Sequence, residues 1–191
     1  SRGLGDVYKR QTQTDDVAQI GDQTYSTLSA AIEAAQNNAT ITLLEDTKEN
    51  ITINKGITLD LNGKTLSAQD NSKTSVITVN VTDTDNDNAV TINNGTITGG
   101  SAVGAGDENG GGIKITSGTV TVSQCILNGN TAKNGGAVYI SGGNVTISQS
   151  TINKNTATNS GGAIYMATLS TNSSCTLDNC TVEENSADFG G

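Results

Sequence analysis

One apolar pattern recurs five times along this chain. It is an apolar residue, any residue, a second apolar residue, four residues, and a third apolar residue. The copies are Leu59, Leu61, Leu66; Val90, Ile92, Ile97; Val120, Val122, Leu127; Val145, Ile147, Ile152; and Cys175, Leu177, Val182. The steps between them are 31, 30, 25 and 30 residues. A second apolar pair precedes each copy: Ile51/Ile53, Ile77/Val79, Ile113/Ile115, Val138/Ile140 and Ile164/Met166. Alternation of this kind marks a short strand with one buried face. A repeat of this period cannot bury that face alone, so neighbouring repeats must stack. The pattern predicts an all-β, right-handed parallel β-helix of about five coils with three short strands per coil. The absence of proline agrees, because a proline inside a stacked strand removes a ladder hydrogen bond.

Composition supports a thin core. Only 33% of the 191 residues are hydrophobic and 3% aromatic. The apolar residues are mostly β-branched or leucine, regularly spaced, which argues against disorder. Asn130, Asn155 and Asn185 each stand three residues past the third apolar site, the arrangement of an asparagine ladder tolerant of left-handed corners. Gly135-Gly136, Gly161-Gly162 and Gly190-Gly191 open successive coils. Length variation falls in residues 83–88, 101–109 and 168–174, the insertions where solenoids usually carry function.

The ends differ from the middle. Residues 1–11 include Asp6-Val7-Tyr8-Lys9-Arg10-Gln11, which resembles a translated transposase mosaic-end adaptor. They are read as non-native read-through, an upstream native tail being the alternative. Both arginines, Arg2 and Arg10, lie there, and without the segment the net charge moves from −9 to −11. Residues 12–43 hold an expected hairpin around Gly21-Asp22, a capping helix with Leu28, Ala31, Ile32 and Ala35 on one face, and the first strand Ile41-Thr42-Leu43. Ser26 or Thr27 is the expected N-cap. Residues 44–191 form the coils. Phe189-Gly190-Gly191 stands where a further coil would open, so the last coil is expected to be uncovered, cut from a longer gene and prone to self-association.

Several function classes are disfavoured. No basic patch serves nucleic acid, and no apolar stretch is long enough for a membrane-spanning helix. Glycoside hydrolysis needs paired carboxylates about 5–9.5 Å apart. Asp60 and Asp178 are the outward aspartates of the second strand, four rungs and thus roughly 19 Å apart at the inter-strand spacing. This leans against catalysis within the chain. Cys125 and Cys180 occupy equivalent positions two coils apart, beyond disulfide reach. Cys175 reads as a small core residue, a Cys175–Cys180 bridge being the less favoured alternative.

Two candidate sites remain. Asp83, Asp85 and Asp87 place carboxylates at alternate positions and are candidate Ca²⁺ ligands. Asn88 and Asn94 stand where an EF-hand loop has glycine and glutamate, and a solvated acidic loop is the plainer reading. Thr91, Thr121, Thr146 and Thr176 form an outward column, with Asn93, Ser123, Ser148 and Asp178 beside it. Such a hydroxyl-rich face is a candidate surface for glycan or a host or surface protein. Ice binding would ask for two threonine columns, and the second here is mixed. Threonine also simply suits exposed strand positions.

Two resemblances follow from particular residues. Ile20-Gly21-Asp22-Gln23-Thr24-Tyr25, Thr40-Ile41-Thr42-Leu43-Leu44 and Ile57-Thr58-Leu59-Asp60-Leu61-Asn62-Gly63-Lys64-Thr65-Leu66 resemble the N-terminal region of large bacterial surface proteins with pectate-lyase-like β-helices. Ser150-Thr151-Ile152-Asn153-Lys154-Asn155 and Gly161-Gly162-Ala163-Ile164-Tyr165 resemble repeats of chlamydial polymorphic outer membrane proteins. Those repeats carry a Phe-x-x-Asn signature, and the Phe position here holds Leu127, Ile152 and Val182. The resemblance implies an extracellular or cell-surface setting and a non-catalytic adhesion or display scaffold. The alternative it implies is a polysaccharide-acting lyase or glycoside hydrolase whose active site lies outside this chain.

Overall fold

The computed structural model describes residues 16–82, 89–104, 106, 108–167 and 173–191. They form an all-β parallel solenoid closed at one end by one short helix. The main sheet stacks six rungs in parallel: Thr40–Leu43, Thr58–Asp60, Ala89–Thr98, Thr119–Asn128, Asn144–Ser148 and Ser174–Asp178. A second sheet stacks Ile51–Ile53, Ile77–Asn80, Ile113–Ser117, Val138–Ile140 and Ile164–Met166 in the register the apolar pairs predict. A third, short sheet joins Ser101–Ala102, Thr131–Asn134 and Thr156–Ser160. Periodicity does not show this last leg, because its inward residues are only Ala102, Ala132 and Ala157.

The inward faces make one continuous core. Ile92, Ile97, Ile113, Val122, Leu127, Ile140, Ile147 and Ile152 are all fully buried. Each such side chain contributes about 2 kcal/mol by leaving water. Between the aliphatic columns runs the asparagine ladder. The Asn155 side-chain amide donates to Asn185 Oδ1 at 2.9 Å and to the Leu127 carbonyl at 2.9 Å. Asn155 Oδ1 in turn accepts from the backbone N–H and the amide of Asn130, both at 3.0 Å. Asn130 and Asn155 are completely buried, so the bonds between them and the bond to the Leu127 carbonyl are made away from water.

Two sequence expectations need correction here. The ladder asparagines are not the left-handed residues. That conformation falls one position earlier, at Gly129, Lys154 and Glu184, with φ of 61°, 55° and 53°. The first apolar copy is also shifted. Leu59 pairs with Ile92, not Val90, while Leu66 pairs with Ile97 as expected. The turn after Leu59 is therefore two residues longer than in later coils. Leu61 fills the extra space, and it presses on Gly95, where a Cβ would lie 2.3 Å from Leu61 Cβ. This is why Gly95 stands in the column that Cys125 occupies one coil later.

The Gly-Gly openings have two distinct causes. Gly135 and Gly161 need φ near 65°. Gly136 has no room, since a Cβ there would sit 2.3 Å from the Gly162 carbonyl oxygen of the next coil.

The first rung is covered. Ala18–Ile20 pairs antiparallel with both Gln23–Tyr25 and the strand Thr40–Leu43, as the predicted hairpin requires. Helix α1, Leu28–Ala34, buries Leu28, Ala31 and Ile32 against the core. Thr27 is its N-cap and accepts from the Ala30 N–H at 3.1 Å. Glu49, from the loop below, accepts from the Leu28 N–H at 2.6 Å and the Ser29 N–H at 3.0 Å. A carboxylate there satisfies orphan donors at the positive end of the helix. On the last rung the inward positions Leu177 and Val182 are 48% and 44% exposed, and Phe189 is 69% exposed.

Candidate binding face and corner groove

The main sheet sets the threonines in one line. Thr91, Thr121, Thr146 and Thr176 pair rung to rung, with Thr91 and Thr121 half-buried and Thr146 and Thr176 exposed. The column also extends downward through Thr58 to Thr40. Sequence reading missed these two because the first copy is shifted by two residues. A neighbouring column runs Thr42, Asp60, Asn93, Ser123, Ser148, Asp178. Asp60 and Asp178 therefore share a column but stand four rungs apart, roughly 19 Å at the inter-strand spacing. Asp60 is instead held locally, accepting from the Asn62 N–H at 2.8 Å and the Asn94 amide at 3.2 Å.

Beyond that second column each strand bends, and the residue at the bend is left-handed. Asn94, Gln124, Gln149 and Asn179 have φ of 57°, 53°, 49° and 51°. This conformation throws their side chains outward at a corner. On its far side runs the column Thr65, Thr96, Ile126, Thr151, Thr181. Over the upper three coils the two columns border a shallow groove of about 490 Å³, floored by Cys125 and Ser150. Ile126 replaces threonine in its column and is 44% exposed.

The three cysteines are free thiols. Cys125 is buried, and burial pushes its thiol up to about 11. Ser150 lies between Cys125 and Cys180, its hydroxyl oxygen accepting from the Cys125 N–H at 3.1 Å. Burial also raises the Cys175 thiol, with the neighbouring Cys180 adding to the shift. Neither effect favours a thiolate nucleophile near neutral pH.

The second sheet carries an outward column Thr52, Thr78, Lys114, Tyr139, Tyr165. The Tyr139 and Tyr165 rings stack with centroids 5.7 Å apart and planes within 9°. A second amide ladder follows the third sheet: Asn159 donates to Asn134 at 2.8 Å, and Asn134 to Asn109 at 2.9 Å. Near it Lys133 meets Glu108 at 3.0 Å, and the lysine's hydrogen bond holds that carboxyl below the usual carboxylate range. Asp83, Asp85 and Asp87 lie outside the described residues. Among the described residues no group of three or more His, Cys, Asp or Glu side chains is placed to hold a metal ion. No described helix is long and apolar enough to cross a membrane.

Two stretches of the chain, residues 124–141 and 149–167, match the family model of the Chlamydia polymorphic membrane protein repeat. Each begins at or near the corner groove and ends in the second sheet, so the matched unit follows the coil. No curated protein and no solved structure matches the chain.

Proposed function

We propose that this chain is part of the β-helical portion of a bacterial cell-surface or secreted protein and acts as a non-catalytic adhesion or display scaffold. The observation that carries this reading is the unbroken threonine column over six rungs of one rigid sheet. A regular hydroxyl face on a scaffold with a continuous core presents the same chemistry at each coil without reorganisation. The two polymorphic-membrane-protein repeat matches support the surface setting. The contacts of such a face are with glycan or a partner surface protein, made through Thr91, Thr121, Thr146 and Thr176. Asp83, Asp85 and Asp87 belong to the same proposal as candidate Ca²⁺ ligands.

Adhesion tests it. Beads coated with the chain are expected to bind a panel of mammalian and bacterial cell surfaces above albumin-coated beads. Thr121→Lys/Thr146→Lys is expected to abolish the excess while leaving the melting temperature nearly unchanged, because surface strand substitutions cost little. Adhesion no better than albumin, or adhesion indifferent to the double substitution, would sink the reading.

A further inference from the structure

We propose that the corner groove over the upper three coils is a binding site for an uncharged polysaccharide lying along the solenoid axis. This rests on the surface-scaffold reading and names a ligand class and a place for it, distinct from the threonine face.

Four observations carry it. First, the Gln124, Gln149 and Asn179 side chains line the groove, and among the described residues none of the three makes a side-chain hydrogen bond. Each offers one carbonyl acceptor and two amide donors, which matches the mixed donor and acceptor character of sugar hydroxyls. Second, these amides repeat at the rung spacing, roughly 4.8 Å. That is close to the length of one sugar residue in an extended chain, so successive residues meet successive amides. Third, Ile126 places an exposed apolar side chain where the adjoining rungs have Thr96 and Thr151. An isolated aliphatic group gains nothing from water there, but it suits the C–H face of a sugar ring. Fourth, the groove lining contains no charged residue, and Asp178 precedes Asn179 on the uppermost coil, while Glu184 of that coil is paired with Lys154 at 3.6 Å. A polyanion finds no counter-charge in that lining.

The same geometry disfavours an extended peptide as ligand. Backbone N–H and C=O groups bordering the groove are already paired between rungs, as in Gln149 N–H to the Asp178 carbonyl and Thr181 N–H to the Ser150 carbonyl, both at 2.9 Å. A peptide strand recognises an open sheet edge, and the groove presents side chains instead.

The test is affinity electrophoresis of the intact chain in gels containing hydroxyethyl cellulose, a β-1,3-glucan, a mannan or a galactan, with polygalacturonate as the charged arm. At least one neutral polymer is expected to retard the protein, and polygalacturonate is not. Gln124→Ala/Gln149→Ala is expected to weaken retardation about tenfold, as loss of two hydrogen-bonding groups implies. Ile126→Thr, which restores the residue common to the column, is expected to weaken it several-fold. Thr52→Lys on the second sheet, away from both the groove and the threonine column, is expected to leave it unchanged. Retardation by no neutral polymer overturns the site, as does equal retardation of the amide variant or equal binding of polygalacturonate. Cell adhesion of the same proteins separates the two proposals. Adhesion that persists without polymer binding removes the groove and keeps the surface reading, and loss of both removes both.

Discussion

Two stacks of amide side chains run along this solenoid, six residues apart in each coil, and they have opposite fates. Asn130, Asn155 and Asn185 turn inward and bond one another and the backbone. The side chains of Gln124, Gln149 and Asn179 turn outward and make no hydrogen bond among the described residues. The chemistry is nearly the same, and backbone conformation separates the two. A left-handed residue at the bend points its own side chain out, whereas the residue after the next left-handed position points in. An amide buried in a low-dielectric core must be fully satisfied or it destabilises the fold. An amide at an open corner is held by no such demand and is free for a ligand.

That contrast can be broken by substitution, and the expected effects fall in a clear order. Asn155→Ala is expected to cost most, about 3 kcal/mol in urea unfolding, because it orphans the buried Asn130 N–H and takes the side-chain donor from the Leu127 carbonyl, while Asn185 Oδ1 keeps only the backbone N–H of residue 155. Gly136→Ala tests the claim that the coils approach through glycine. With a Cβ 2.3 Å from the Gly162 oxygen, it is expected to cost about 2 kcal/mol. A loss below about 0.5 kcal/mol would mean the backbone there yields easily.

Cys125 gives a pH-dependent test of the groove floor. Its thiol is raised by burial from 9.0 to about 11, so the folded state keeps a proton that the unfolded state releases first. The resulting stability is fully present below pH 9 and lost as pH rises through about 11. Wild type is expected to lose stability relative to Cys125→Ser across that window, and parallel curves would show the thiol to be less buried than described. Glu49→Gln probes the covered end. Glutamine removes the charge at the α1 N-terminus and keeps only one of the two accepting oxygens, so it is expected to cost about 1 kcal/mol, its charge part shrinking at high salt.

Much of this architecture was legible from spacing alone. The apolar columns of the upper coils, the Asn130 ladder and the Thr91 column follow from a period that sterics hold fixed. Where the period slips, legibility fails. The long turn at Leu61 hid the true first register, and Gly95 was the one residue that could have revealed it. The Asn109, Asn134, Asn159 ladder keeps a 25-residue step, but its first member falls in the insertion 101–109 and so does not stand out as part of a repeat. The third sheet was silent because alanine carries little apolar signal. The groove was not legible, since Gln124 and Gln149 look like ordinary polar strand residues until their positive φ is known. The Asp83, Asp85 and Asp87 loop has no repeat to place it.

The most direct measurement compares the two stacks within one coil. Urea unfolding of Asn155→Ala and Gln149→Ala, side by side with wild type, reads what each amide does for the fold. The expected result is a loss of about 3 kcal/mol for Asn155→Ala and within about 0.5 kcal/mol of wild type for Gln149→Ala. Equal losses, or a larger loss at Gln149, would contradict the division between an amide stack that holds the solenoid together and one that faces outward from it.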